Sequence, residues 1–293
     1  MIMDMCKPNQ FCFLNEQEFL AVREGIKPVM RQTVTRKLSV KKVKNMCKKN
    51  NLHTVIKSMN VWSPDQQPVY HIFISKSSKL AKEAYQANKK MDSRKLGELL
   101  GYPECCIDNF IKLKNTNPDC QFILHSFFQT KTKPRFYAND ILNFSIRKFF
   151  IGRRINQANE NFIPTNHFLI SHIPCSYDCK ESIKMGRNVL KILIKESNEH
   201  AKKIAYALKK PFLVFDDFNW VVFDGNAKSK EKAIEYKKIL ATESSYPENK
   251  LKMFMRGDTI KINDENITIL KDDEILNTIG KDNTSQGIVI DFR

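Results

Sequence analysis

Glycine is scarce in this chain, with 9 among 293 residues. None of them falls in a Walker A loop, a Gly-x-Gly-x-x-Gly turn or a Gly-x-Ser-x-Gly elbow. Such loops need glycine so that backbone can approach a phosphate or turn sharply. Their absence argues against a common nucleotide-binding site. Also missing are His-Glu-x-x-His, tandem Cys-x2-Cys zinc pairs and the Cys-x3-Cys-x2-Cys run of radical S-adenosylmethionine enzymes. No apolar run approaches the length that crosses a bilayer, so no membrane partner is expected. Residues Met1 to Lys7 lack the basic-then-apolar order of a secretory signal, and a cytoplasmic location is expected. No internal repeat is evident.

Cysteine is plentiful by contrast, with 8 residues. Cytoplasmic thiols are kept reduced, so clustered cysteines there point to metal or redox chemistry rather than a disulfide framework. Charge is also lopsided. The formal net charge is +17, yet residues 256–293 hold five basic and eight acidic residues, a net of −3. Residues 1–255 therefore carry 44 basic and 24 acidic residues, a net of +20. Such a balance favours polyanions, RNA among them, through long-range attraction and counterion release. A lysine-rich composition habit explains the same numbers without any partner.

The patterning predicts an α+β protein in three parts: an N-terminal α/β segment (1–75), a mainly helical region carrying the cysteine motifs (76–210), and a small antiparallel β-rich region (211–293). In the first part Asn15 caps a helix through Phe19 and Val22, and a second starts at Ser39. That second helix places Val40, Val43, Met46 and Cys47 on one face and lysines on the other. Cys47 is therefore read as core. Val69 to Ile74 reads as a strand. In the middle part Ser77 or Ser78 caps one helix and Asp92 or Ser93 caps another. The latter ends at Gly101, and Pro103 opens the next. Phe122 to Phe128 is strand or buried helix. Ile141 to Ile151 mixes aromatics with basic residues, and Phe162-Ile163-Pro164 is a turn. After Pro174 an amphipathic helix is expected to run to about Lys209. In the last part 212–215, 220–223, 260–262, 267–270, 275–279 and 288–290 read as strands, and Lys228 to Leu240 as a helix. Asp216 and Asp217 are expected in a turn, with a cation-binding carboxylate pair as the sharper reading.

Two stretches carry the chemistry: Gly101-Tyr102-Pro103-Glu104-Cys105-Cys106, and His172-Ile173-Pro174-Cys175-Ser176-Tyr177-Asp178-Cys179. Each puts proline just ahead of its thiols, where a helix can begin. Free N–H groups and the helix dipole there favour thiolate, the form that binds metal or attacks carbon. Cys175 and Cys179, four apart, share a helical face, and His172 adds an imidazole. Adjacent cysteines diverge on a helix, so one of Cys105 and Cys106 is expected to face the site while the other packs. The candidate ligands are Cys105, Cys106, His172, Cys175 and Cys179. A Cys3His set suits structural zinc, or an iron–sulfur cluster with one unusual ligand. Two other readings stand beside it. One is an RNA-associated protein, such as a tRNA-modification factor, using the basic surface. The other is a thiol enzyme, with Cys105 or Cys175 as nucleophile and His172 as base. His125 and His167, in apolar surroundings, read as core histidines, and Cys6, Cys12 and Cys120 show no partner spacing.

The two stretches resemble a mainly archaeal family of unknown function. It is marked by Leu-Gly-Tyr-Pro-x-Cys-Cys and, further on, His-x-Pro-Cys-Ser-x-x-Cys. Here these read Leu100 to Cys106 and His172 to Cys179, within a similarity over roughly residues 70–225 that includes Phe223-Asp224-Gly225. The resemblance implies that the two motifs belong together. It brings no activity with it.

Overall fold

The structure is a computed structural model. It describes residues 15–34, 37–62, 68–116, 121–143, 167–217, 219–228, 232–242, 248–282 and 286–293. Cys6, Cys12, Cys120, the Phe162-Ile163-Pro164 turn and the 144–151 part of the mixed segment lie outside these. The protein is α+β, as its pattern predicts. It divides into two compact units, residues 1–115 with 187–196, and residues 116–186 with 197–293.

The first unit is built on a three-stranded antiparallel sheet, β1 (Val29–Val34), β2 (His53–Trp62) and β3 (Pro68–Ser75), with β3 in the middle. Alternation along β3 sends Ile72 and Ile74 to one face and Phe73 to the other. Helices α1 (Glu16–Arg23) and α2 (Lys37–Lys49) cover the first face, packing Phe19, Val22, Val43 and Cys47 against Met30, Ile72 and Ile74. Helices α3 (Ser78–Lys89) and α4 (Ser93–Leu99) supply Ala81, Ala84, Ala87 and Leu99 against Val29 and Phe73. Both helix starts follow the local signals. Ser77 Oγ accepts from the Leu80 amide at 3.3 Å, and Asp92 from the Lys95 amide at 2.9 Å. Helix α5 (Glu104–Thr116) completes this stretch. The sequence pattern identified neither β1 nor β2.

The second unit holds a seven-stranded antiparallel sheet. Its strands are β4 (Phe212–Asp216), β5 (Asn219–Lys228), β6 (Ala233–Thr242), β7 (Thr259–Ile262), β8 (Asn266–Lys271), β9 (Glu274–Gly280) and β10 (Ile288–Ile290), in the order β10-β4-β5-β6-β7-β8-β9. Leu213, Phe215, Phe223, Tyr236, Ile260 and Ile269 meet in one core. The expected helix at 228–240 is incorrect, because Ala233 to Thr242 is strand β6, paired with β5 along its length and with β7 at its start. Ile234, Tyr236 and Ile239 are buried there by neighbours distant in sequence. An unanticipated helix, α9 (Glu248–Arg256), seats Phe254 in this core, where its carbonyl accepts from Tyr236 Oη at 2.6 Å.

Phe122–Phe128 is a helix, α6. The helix expected directly after Pro174 begins later and is broken. It forms α7 (Lys180–Glu196) and α8 (Asn198–Leu208), with Ser197 Oγ accepting from the His200 amide at 3.3 Å at the break. Residues 187–196 of α7 belong to the first unit, where Glu196 pairs with Arg23. Near its start, α7 passes the 3-10 turn Phe136–Ala138. A Cβ on Gly186 would sit 2.2 Å from the Tyr137 carbonyl, so only glycine fits. No helix of the described residues is long and apolar enough to cross a membrane.

Candidate metal centre

The first pair of thiols is aimed by the corner between α4 and α5. Gly101 has φ +73°, the left-handed conformation that follows many helices. Its amide donates to Glu98 O at 2.9 Å, and the Tyr102 amide donates to Gly97 O at 3.0 Å. This is the Schellman pattern, which satisfies the last helical carbonyls and turns the chain. A Cβ on Gly101 would lie 2.7 Å from Pro28 Cδ, so the corner sits directly on the Lys27-Pro28 segment. Lys27 is buried there. Its ammonium pairs with Glu18 and lies 5.1 Å from the centre of the Tyr102 ring. Pro103 ends the corner, and its carbonyl accepts from the Cys106 and Ile107 amides at 3.0 Å each. Cys105 and Cys106 thus stand in the first turn of α5. An ion pair between Arg94 and Asp108 ties α4 to α5. Cys106 is buried and Cys105 exposed, yet their Sγ atoms are 3.9 Å apart. Both thiols therefore face one region, whereas neighbouring side chains on a helix are expected to diverge, one to the site and one to the core.

The second pair sits in a loop, not in the helical turn expected after Pro174. Cys175 to Cys179 precede α7, and the Cys179 carbonyl accepts the first α7 bond, from the Ile183 amide at 2.9 Å. The loop is held from outside by the end of α6 and the residues after it. Ser126 Oγ donates to Pro174 O at 2.7 Å, and the Tyr177 amide donates to Thr130 Oγ1 at 2.9 Å. Tyr177 O accepts from the Arg135 amide at 3.0 Å. Asp178 gathers the rest. Its carboxylate accepts from Ser176 Oγ at 2.6 Å, from the Lys131 and Thr132 amides at 3.1 and 2.9 Å, and from Thr132 Oγ1 at 3.1 Å. Burial works to raise this carboxyl, but these donors outweigh it and hold it below the usual aspartate range. The Tyr177 ring is fully buried edge-to-face on Phe292, which meets Phe212 of β4 in the same way, at centroid distances of 4.9 and 5.6 Å.

Helix α6 is itself pinned by Asp217, whose two carboxylate oxygens accept from the Phe122 and Ile123 amides at 2.7 Å each. Asp216 accepts from Asn219 Nδ2 at 2.5 Å. The two adjacent carboxylates thus serve a helix start and a turn.

The Sγ atoms of Cys105, Cys106, Cys175 and Cys179 all lie within 4.8 Å of one another, a group that could hold a metal ion. His172, the fifth candidate, is not in that group. Its Nε2 lies 2.8 Å from Ser182 Oγ in the first turn of α7, and the ring is buried. Cys47 is elsewhere, in the core under α2, where burial pushes its thiol up to about 12. His167 is buried 6.0 Å from the His200 ring. Sequence reasoning passed over Lys27, Glu18, Ser126, Thr130 and Asp178. Asp178 alone carried a signal, lying between the two cysteines of its motif.

No curated protein and no solved structure matches this chain. A family model described as a protein of unknown function, DUF483, matches residues 52–209. The match reaches further toward the N-terminus than the two motifs implied, taking in β2, and it stops before Phe223-Asp224-Gly225. It contains all four clustered cysteines and covers more than half of the sequence, so the chain belongs to the DUF483 family.

Proposed function

We propose that this is a tetrathiolate metal protein in which Cys105, Cys106, Cys175 and Cys179 bind one zinc ion in a structural site. The compactness of the four-sulfur group carries the reading. A zinc–sulfur bond of about 2.3 Å sets sulfurs at tetrahedral corners roughly 3.8 Å apart. The Cys105–Cys106 separation of 3.9 Å matches that edge, and every other separation is at most 4.8 Å. Cysteines of a four-iron cluster ligate different irons, which spreads their sulfurs to roughly 6 Å. Four thiolates fill a tetrahedral shell and leave no position for substrate, the mark of a structural site. Metal would supply charge neutralisation for the thiolates and a rigid cross-link. The Gly101 corner and the Asp178 loop support the two pairs of thiols.

The test is metal content after anaerobic purification. About one equivalent of zinc is expected, falling below a tenth in Cys175→Ser. A brown protein absorbing near 400 nm with about four irons would replace zinc by a cluster. Metal-free protein with freely titrating thiols would overturn the reading.

A further inference from the structure

Helix α2 has an exposed face unlike any other helix described here. Its residues Lys37–Lys49 include six lysines and no acidic residue. Lys41, Lys42, Lys44, Lys48 and Lys49 are all exposed. On α3, α4 and α8 the lysines come with carboxylates at helical spacing: Lys79 with Glu83, Lys95 with Glu98, Lys203 with Glu199. Among the described residues, Lys41, Lys44, Lys48 and Lys49 form no ion pair. Instead Lys44 and Lys48, at i and i+4, repel each other, as do Lys41 and Lys44 at i and i+3. Like-charge pairs at these spacings destabilise a helix. A merely solvated face would relieve that repulsion with interspersed acids, as the other helices do.

We infer that this lysine face docks on the phosphate backbone of double-helical RNA. The opposite face of α2 is spent on the core of its unit: Val43 and Cys47 are each 1% exposed. An interfacial membrane helix needs that apolar face to insert, so an anionic bilayer is the poorer fit. A helix lying flat on a sheet also projects too little to enter the major groove of B-DNA. A-form RNA offers phosphates bordering a wide, shallow minor groove, which a flat basic face can bridge. Lysines are point charges without the bidentate fork of arginine, so recognition follows the backbone and not the sequence. The surface is independent of the metal centre, and its failure leaves that reading intact.

The experiment is fluorescence anisotropy of the full-length, metal-replete protein with a labelled 20-base-pair RNA duplex at several KCl concentrations. Lys41→Gln/Lys44→Gln/Lys48→Gln is expected to weaken binding about tenfold or more near 100 mM salt and to lower the salt slope by about 2. Two controls accompany it. Lys237→Gln/Lys238→Gln/Lys261→Gln removes the same charge from exposed sites on β6 and β7 and is expected to bind like the parent. Lys41→Arg/Lys44→Arg/Lys48→Arg keeps the charge and should also bind like the parent. Equal loss in the two glutamine variants would reduce the effect to net charge and overturn the proposal. So would absence of RNA binding, tighter binding to the same duplex made of DNA, or stronger retention by phosphatidylserine vesicles than by RNA.

Discussion

The ammonium of Lys27 lies 5.1 Å from the centre of the Tyr102 ring while ion-paired with Glu18. Lys27 is 1% and Glu18 5% exposed, so a residue from the start of the chain supports the corner that aims Cys105 and Cys106. Removing one partner leaves a buried charge uncompensated. Lys27→Met is expected to destabilise by about 3–5 kcal/mol, whereas Lys27→Met combined with Glu18→Leu should recover most of that loss. Urea denaturation of the two variants distinguishes a buried pair from a dispensable surface one.

Gly101 carries both a left-handed backbone and a contact that a Cβ would violate, 2.7 Å from Pro28 Cδ. Gly101→Ala should cost about 2 kcal/mol or more, above the roughly 1 kcal/mol of left-handed strain alone. On the proposed reading, a metal bound at the four cysteines should also leave faster to a chelator. A variant as stable and as slow to lose metal as the parent would show that the corner is not what aims the thiols.

The Asp178 carboxylate accepts four hydrogen bonds from three residues. Asp178→Ala leaves the Thr132 and Lys131 amides to water and should cost about 1–3 kcal/mol. The Cys175–Cys179 loop would then hold metal less tightly, which a chelator competition reads directly. Unchanged metal affinity would place the loop's rigidity elsewhere, for instance in the Tyr177 ring.

Thiol reactivity should divide the described cysteines into two groups. Burial pushes Cys47 up to about 12, so it should resist iodoacetamide near neutral pH with or without metal. The four clustered cysteines should be protected in the metal-bound protein and become alkylated after chelation, the exposed Cys105 first. Peptide mapping by mass spectrometry follows each site. Rapid alkylation of all four before chelation would contradict a metal centre.

His71, half-buried and 3.3 Å from Asn88 Nδ2, is pushed down to about 4, by burial first and by the Arg31 charge second. Its unfolded value is about 6.5. Between those values the unfolded chain binds the extra proton, so stability rises with pH and is lost as pH falls through this window. Allowing for partial exposure, the effect is about 1–2 kcal/mol. His71→Gln should flatten the stability profile between about pH 4 and 6.5. An unchanged slope would refute the assignment to His71.

Local signals proved the most legible part of the fold. Ser77, Asp92 and Gly101 each satisfy hydrogen bonds or φ angles within a few residues of themselves, and each stands where its local chemistry predicts. Ala233 to Thr242 misled because Ala233, Tyr236 and Leu240 stand at i, i+3 and i+7, a helical spacing. Pairing with β5 and β7 decides the matter, and those partners are read nowhere in the segment itself. The delay of α7 to Lys180 has a similar cause. Thr130, 47 residues away, takes the Tyr177 amide, and Asp178 Oδ2 accepts from residues 131 and 132, holding an open loop where proline alone suggested a helix.

By itself the sequence determined the chemistry on offer: four cysteines in two proline-led motifs, a basic balance, and an α+β pattern. Residue type, local spacing and charge are properties of short stretches. Only the tertiary structure decided which thiols share a region. Whether Cys106 turns toward Cys105, and whether His172 reaches the sulfurs or settles on Ser182, depends on three-dimensional packing that residue type and spacing do not encode. The two motifs that carry the cysteines are set in place by residues outside the four-sulfur group, Lys27 under one and Thr130 and Asp178 around the other.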